Sequence, residues 1–96
     1  MEIKKIVCEG DVVVSLSGRL DTNSAPTFEE FVAENLSKIS TLTLDCAELE
    51  YISSAGLRVL LSAQKRLNSA MKLKNVCELV MEVFEMTGFV DILVIE

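Results

Sequence analysis

The sequence predicts an α/β domain: a mixed sheet in the order ββαβαβαβ, with its helices chiefly on one face. Three observations carry this reading. Short β-type runs alternate with stretches whose apolar residues recur at helical intervals. Within the runs apolar and polar residues alternate: Leu42 and Leu44 are interleaved with Thr41 and Thr43, and Met71 and Leu73 with Lys72 and Lys74. A parallel sheet covered on both faces would instead read as unbroken apolar runs, so one face is expected to stay open. Finally, the chain has 96 residues, of which 50% are apolar, which suits one domain, 1–96, with a single core.

The elements follow in order. Glu2–Val7 reads as a strand, with Ile3, Ile6 and Val7 apolar. Glu9-Gly10-Asp11 is turn chemistry, and Val12–Leu16 is the second strand of a hairpin. Gly18 marks a break. Asp21-Thr22-Asn23-Ser24 is a cluster of cap and turn residues, and Pro26 suits a helix's first turn. The helix is expected over Ser24–Lys38, with Phe28, Phe31, Val32, Leu36 and Ile39 along one face. Glu29, Glu30 and Glu34 lie on the other, as a solvated face or part of an acidic partner surface.

Leu42–Asp45 is the third strand, and Cys46–Ile52 reads as a loop. A helix over Ser54–Asn68 then carries Leu57, Leu60, Leu61 and Leu67 toward the core, with Arg58, Lys65 and Arg66 outside. Met71–Val76 is a strand. Val76, Leu79, Val80, Val83 and Phe84 step at helical intervals through Cys77–Thr87, and Gly88 suits a left-handed cap. Ile92–Ile95 reads as a last strand. Right-handed crossovers advancing one way put the helices together.

Composition narrows the function. The net charge is −6 and the pI about 4.6, which disfavours a nucleic-acid partner and favours a partner with a basic patch. The chain has no histidine, which removes His-based triads and His metal sites. Cys8, Cys46 and Cys77 have no metal or disulfide spacing and read as reduced thiols. The isolated glycines form no phosphate-cradling loop. No cofactor, metal or catalytic site is therefore expected. The apolar runs are too short to cross a bilayer and no leader is evident, so a cytoplasmic protein without membrane insertion is expected.

What remains is Ser53-Ser54-Ala55-Gly56, at the start of a helix. Hydroxyls there lie near free backbone N–H groups, a place that tolerates a phosphate. The spacing leaves open the plainer reading that one serine is only an N-cap. Asp21 and Asp45 are candidates to flank the Ser54 helix start, or else turn and cap residues.

Tyr51-Ile52-Ser53-Ser54-Ala55-Gly56-Leu57 resembles the signature of the STAS domain of bacterial anti-sigma factor antagonists. Ser17-Gly18-Arg19-Leu20-Asp21 is similar to that family's Gly-Glu-Leu-Asp turn. Ser53 stands where Asp is common, and Ala55 where a second serine is common. The resemblance implies that the unphosphorylated protein binds an anti-sigma factor that is also a serine kinase, and so frees a sigma factor. It implies Ser54 as phosphoacceptor, with Ser53 as the alternative, and a separate serine phosphatase that reverses the mark. Asp21, Ser53, Ser54, Ala55, Gly56 and Arg58 would form the partner-binding surface of a protein that is monomeric when free, and a kinase substrate rather than an enzyme. STAS-like domains also occur as accessory subunits of membrane lipid or anion transporters, which is the alternative function.

Overall fold

The computed structural model describes residues 2–8, 11–35, 40–67 and 71–96, with 6–8 and 35 described by backbone alone. The elements are β1 (Glu2–Cys8), β2 (Asp11–Leu20), α1 (Ala25–Asn35), β3 (Thr41–Ile52), α2 (Ser54–Leu67), β4 (Met71–Lys74) and α3 (Glu78–Thr87). A 3-10 turn at Phe89–Asp91 follows. The Glu9-Gly10 turn, Leu36, Lys38, Ile39 and Asn68 lie outside the described residues.

The sheet order is β1-β2-β3-β4. β1 and β2 form the expected antiparallel pair, and β2–β3 and β3–β4 are parallel through α1 and α2. Because strand side chains alternate, the register sorts them cleanly onto two faces. Val12, Leu42 and Met71 form one row across β2, β3 and β4, and Val14, Leu44 and Leu73 the next. All six are buried. The alternate rows, Val13-Thr43-Lys72 and Ser15-Asp45-Lys74, are not. Phe28 and Val32 of α1, Leu57 and Leu60 of α2, and Val80 and Phe84 of α3 join the same core as the buried rows. The three helices therefore share one face, and the other is open. In α2, Leu61 and Leu67 are only half-buried, while Val59 and Ala63 complete the buried stripe.

β2, expected over Val12–Leu16 with a break at Gly18, runs through Gly18 to Leu20 because β3 pairs with it over that length, and two further elements differ from the sequence reading. The segment read as a loop, Cys46–Ile52, is strand: β3 runs on to Ile52. The alternation is lost there because β3 holds two extra residues. Ser15 pairs with Asp45 but Ser17 with Glu48, and Gly18 pairs with Leu49 but Arg19 with Tyr51. Each extra residue resets which face comes next, so burial falls on Cys46, Leu49 and Ile52. Gly18, at φ 92, supplies a left-handed backbone beside the second irregularity.

The other difference is at the C-terminal end. Gly88 does close α3 in the left-handed conformation, at φ 82. The expected strand Ile92–Ile95, however, is reduced to one parallel bridge between Leu73 and Ile95. Leu73 N–H donates to the Val94 carbonyl and Glu96 N–H to the Leu73 carbonyl, both at 2.9 Å. Upstream of that bridge the chain is still turning out of the 3-10 helix: the Ile92 and Leu93 N–H groups both donate to the Phe89 carbonyl, at 3.0 and 2.8 Å, so these two residues are not extended alongside β4.

Candidate functional site at the start of α2

The site is made where β2 and β3 end together. Leu20 pairs with Ile52, and the Ser53 N–H donates to the Leu20 carbonyl at 2.9 Å. The chain then turns into α2, whose first bond runs from Leu57 N–H to the Ser53 carbonyl at 2.9 Å. Ser53 Oγ accepts from Gly56 N–H at 3.4 Å, a long contact in the N-cap position. Ser53 is half-buried. Ser54 is exposed as the first residue of α2, and its hydroxyl has no partner among the described residues. Ala55 is half-buried, Gly56 buried, and Arg58 exposed one turn after Ser54. The two serines thus divide the readings the sequence left open: the N-cap position goes to Ser53, and the outward hydroxyl to Ser54.

Gly56 lets the helix start approach both strand ends. A Cβ there would stand 2.8 Å from the Leu20 carbonyl oxygen and Cγ, and 2.9 Å from Ile52 Cγ1. One of these is backbone held in the Ser53 hydrogen bond, so it cannot swing aside. Gly56→Ala is expected to cost about 1–3 kcal/mol through overpacking, despite alanine's advantage of about 1 kcal/mol in helix propensity. An unchanged urea midpoint would show that α2 can slide outward freely.

Asp21 follows Leu20 directly and therefore sits at the same corner. Its Oδ1 accepts from Asn23 N–H at 3.0 Å and Ser24 N–H at 3.2 Å, and its own N–H donates to Ser24 Oγ at 2.9 Å. This reciprocal pattern resembles a capping box and fixes the turn into α1. Desolvation pushes the Asp21 carboxyl up, but the hydrogen bonds from Ser24 and Asn23, helped by Arg19, outweigh it and leave its pKa lowered. Its carboxylate is therefore committed to the turn.

Asp45 does not reach the site. It lies inside β3, paired with Ser15 and Lys74, seven residues before Ile52. At about 3.3 Å per residue that is roughly 20 Å away. Its Oδ1 accepts from the Asn75 side-chain amide and from Ala47 N–H, each at 3.1 Å. These bonds hold its carboxyl below the ordinary value. Asp45 ties the first irregularity of β3 to the residue that ends β4, so its role is structural.

Sequence reasoning passed over Arg19 and Tyr51. They are ladder neighbours, and the Arg19 guanidinium lies 4.2 Å from the centre of the Tyr51 ring. Arg19 Nε also stands 3.8 Å from the Asp21 carboxylate. The signal was present, since each residue lies inside one of the two motifs, but only pairing shows that they meet. Burial pushes the Cys46 thiol up to about 12, so it is not a reactive thiolate. No group of residues that could hold a metal is found among the described residues. No described helix is long and apolar enough to cross a membrane.

Residues 9–95 match the family model described as "Mlab, STAS domain". BtrV of Bordetella bronchiseptica, provisionally named an anti-sigma factor antagonist, is 38% identical over 88 residues, covering 88% of this chain and 76% of BtrV. The anti-sigma-B factor antagonist of Bacillus subtilis is 29% identical over 88 residues, covering 88% of this chain and 81% of its own. Among solved structures, the anti-sigma factor antagonist SpoIIAA from Bacillus in its unphosphorylated form superposes with a TM-score of 0.82 at 19% identity, over 99% of this chain and 88% of its own. SpoIIAA has also been solved in its phosphorylated form. These relatives are regulatory binding proteins and not enzymes.

Proposed function

Because this chain belongs to the STAS domain family, we propose that it is an anti-sigma factor antagonist switched by phosphorylation of Ser54. Unphosphorylated, it binds a cytoplasmic anti-sigma factor that is also a serine kinase, and so releases the sigma factor. In the kinase complex Ser54 Oγ attacks the γ-phosphorus of ATP, losing its proton as ADP leaves. A serine phosphatase returns the hydroxyl. The whole chain, 1–96, acts as one domain and is monomeric when free.

The observation that carries this reading is the exposed Ser54 hydroxyl on the first residue of α2, without a partner among the described residues, beside a Ser53 that occupies the N-cap position. A phosphate there meets free N–H groups at the helix start, so the domain keeps its fold. Asp21, Ser53, Ala55 and Arg58 form the docking surface with Ser54, while Gly56, expected from the sequence to belong to it, is buried and instead sets the close approach of α2 to the strand ends. Incubation with the cognate anti-sigma kinase and ATP is expected to add one phosphate, placed on Ser54 by tandem mass spectrometry, and Ser54→Ala to abolish it. A phosphate on Ser53 would move the switch by one residue. No phosphate on either, with stable association to a membrane transporter, would favour the accessory-subunit function.

Asp21 acts through the turn it caps. Asp21→Asn keeps one acceptor oxygen but loses the charge that strengthens those bonds. It is expected to slow phosphorylation while far-UV circular dichroism stays unchanged. Equal rates for variant and parent would leave Asp21 with the α1 turn alone.

A further inference from the structure

We propose that the outer face of α3 is a second docking surface, and that it takes a cationic amphipathic helix of a protein partner. This rests on no property of Ser54. Leu79 and Met86 of α3 are 52% and 87% exposed. With the half-buried Val83 they stand at i, i+4 and i+7, one apolar stripe along the helix. The core-facing stripe is a different one, Val80 and Phe84. Just past the helix end Val90 and Ile92 are exposed as well. Single exposed apolar residues are ordinary, but a row of them marks an interaction surface.

The charge beside the stripe selects the occupant. Glu78, Glu82 and Glu85 run along one flank, also at i, i+4 and i+7, and all three are exposed. None makes an ion pair among the described residues, and α3 contains no lysine or arginine. A second copy packed antiparallel about a two-fold axis would set these carboxylates against each other, and one packed parallel would leave both acidic flanks without a basic partner, since α3 has none to offer. An anionic membrane surface is repelled by them. A helix with an apolar face and one basic flank answers both stripes at once.

The test uses the full chain, labelled with nitrogen-15, and a synthetic peptide of about fifteen residues, near the length at which an isolated helix becomes stable. The peptide carries leucine at helical spacing and lysine on the flanks. Amide shifts are expected to concentrate on Leu79, Glu82, Val83 and Met86. Met86→Ser, at a position too exposed to disturb the fold, should weaken binding at least about fivefold, as loss of an anchoring side chain does. Glu82→Gln should flatten the salt dependence, and the same peptide with glutamate for lysine should not bind. Shifts spread over the acidic surface at large, or equal affinity for Met86→Ser, would overturn the proposal. So would concentration-dependent broadening of α3 without peptide, which would assign the face to a second copy.

Discussion

The Ser54-phosphorylated protein is expected to bind its anti-sigma kinase on the order of a hundredfold more weakly than the unmodified protein, a loss of about 3 kcal/mol. The phosphate adds about −1.5 to −2 charges and a hydration shell in the middle of the proposed docking surface. It does so where the chain is already ordered, since the Ser53 N–H is held by Leu20 and α2 is closed by the Leu57 bond to Ser53. The loss should therefore appear in affinity and not in folding. Calorimetric titration of the two forms, with a melting curve for each, separates these effects. Ser54→Ala should bind as the parent does, and Ser54→Asp should be weakened less than the phosphoprotein, because a carboxylate carries less charge. Equal affinity for the two forms would remove Ser54 from the switch.

Leu60→Ala is expected to cost about 2–5 kcal/mol, the range for truncating a buried leucine. Leu60 is 1% exposed and belongs to the buried core, on a helix that packs on β3, β4 and α1. A domain of this size holds about 5–15 kcal/mol in total, so the variant loses a large share of its stability. Its melting temperature should fall by at least about 8 °C. Leu61→Ala, next along the chain but only half-buried, should cost less. If the two variants melt together, the phase of α2 is wrong.

Local pattern sufficed wherever one element decides its own state. The period of Leu57 and Leu60, the cap residues before α1, the Gly88 stop and the alternation in Leu42–Leu44 and Met71–Leu73 depend on neighbours a few residues away. From these came the mixed sheet, the shared helix face and the open opposite face. The two motifs were likewise legible, because Gly56-Leu57 and Leu20-Asp21 are short contiguous strings, and they led to the family.

The tertiary structure decided what depends on pairing. The two extra residues of β3 are defined only against β2, so a strand read as a loop. A strand ending at Asp45 would put that residue beside the site; β3 runs seven residues further, to Ile52, and carries the site away from it. Ile92–Ile95 has the composition of a fifth strand, yet the Phe89 carbonyl takes the N–H groups of Ile92 and Leu93 and leaves only the end of the segment to pair with β4. The different fates of Ser53 and Ser54 also lay beyond the sequence. Adjacent residues of the same type differ only when the Leu20 carbonyl holds the Ser53 backbone and Gly56 lets α2 close over the strand ends, leaving one hydroxyl on the Gly56 N–H and the next exposed.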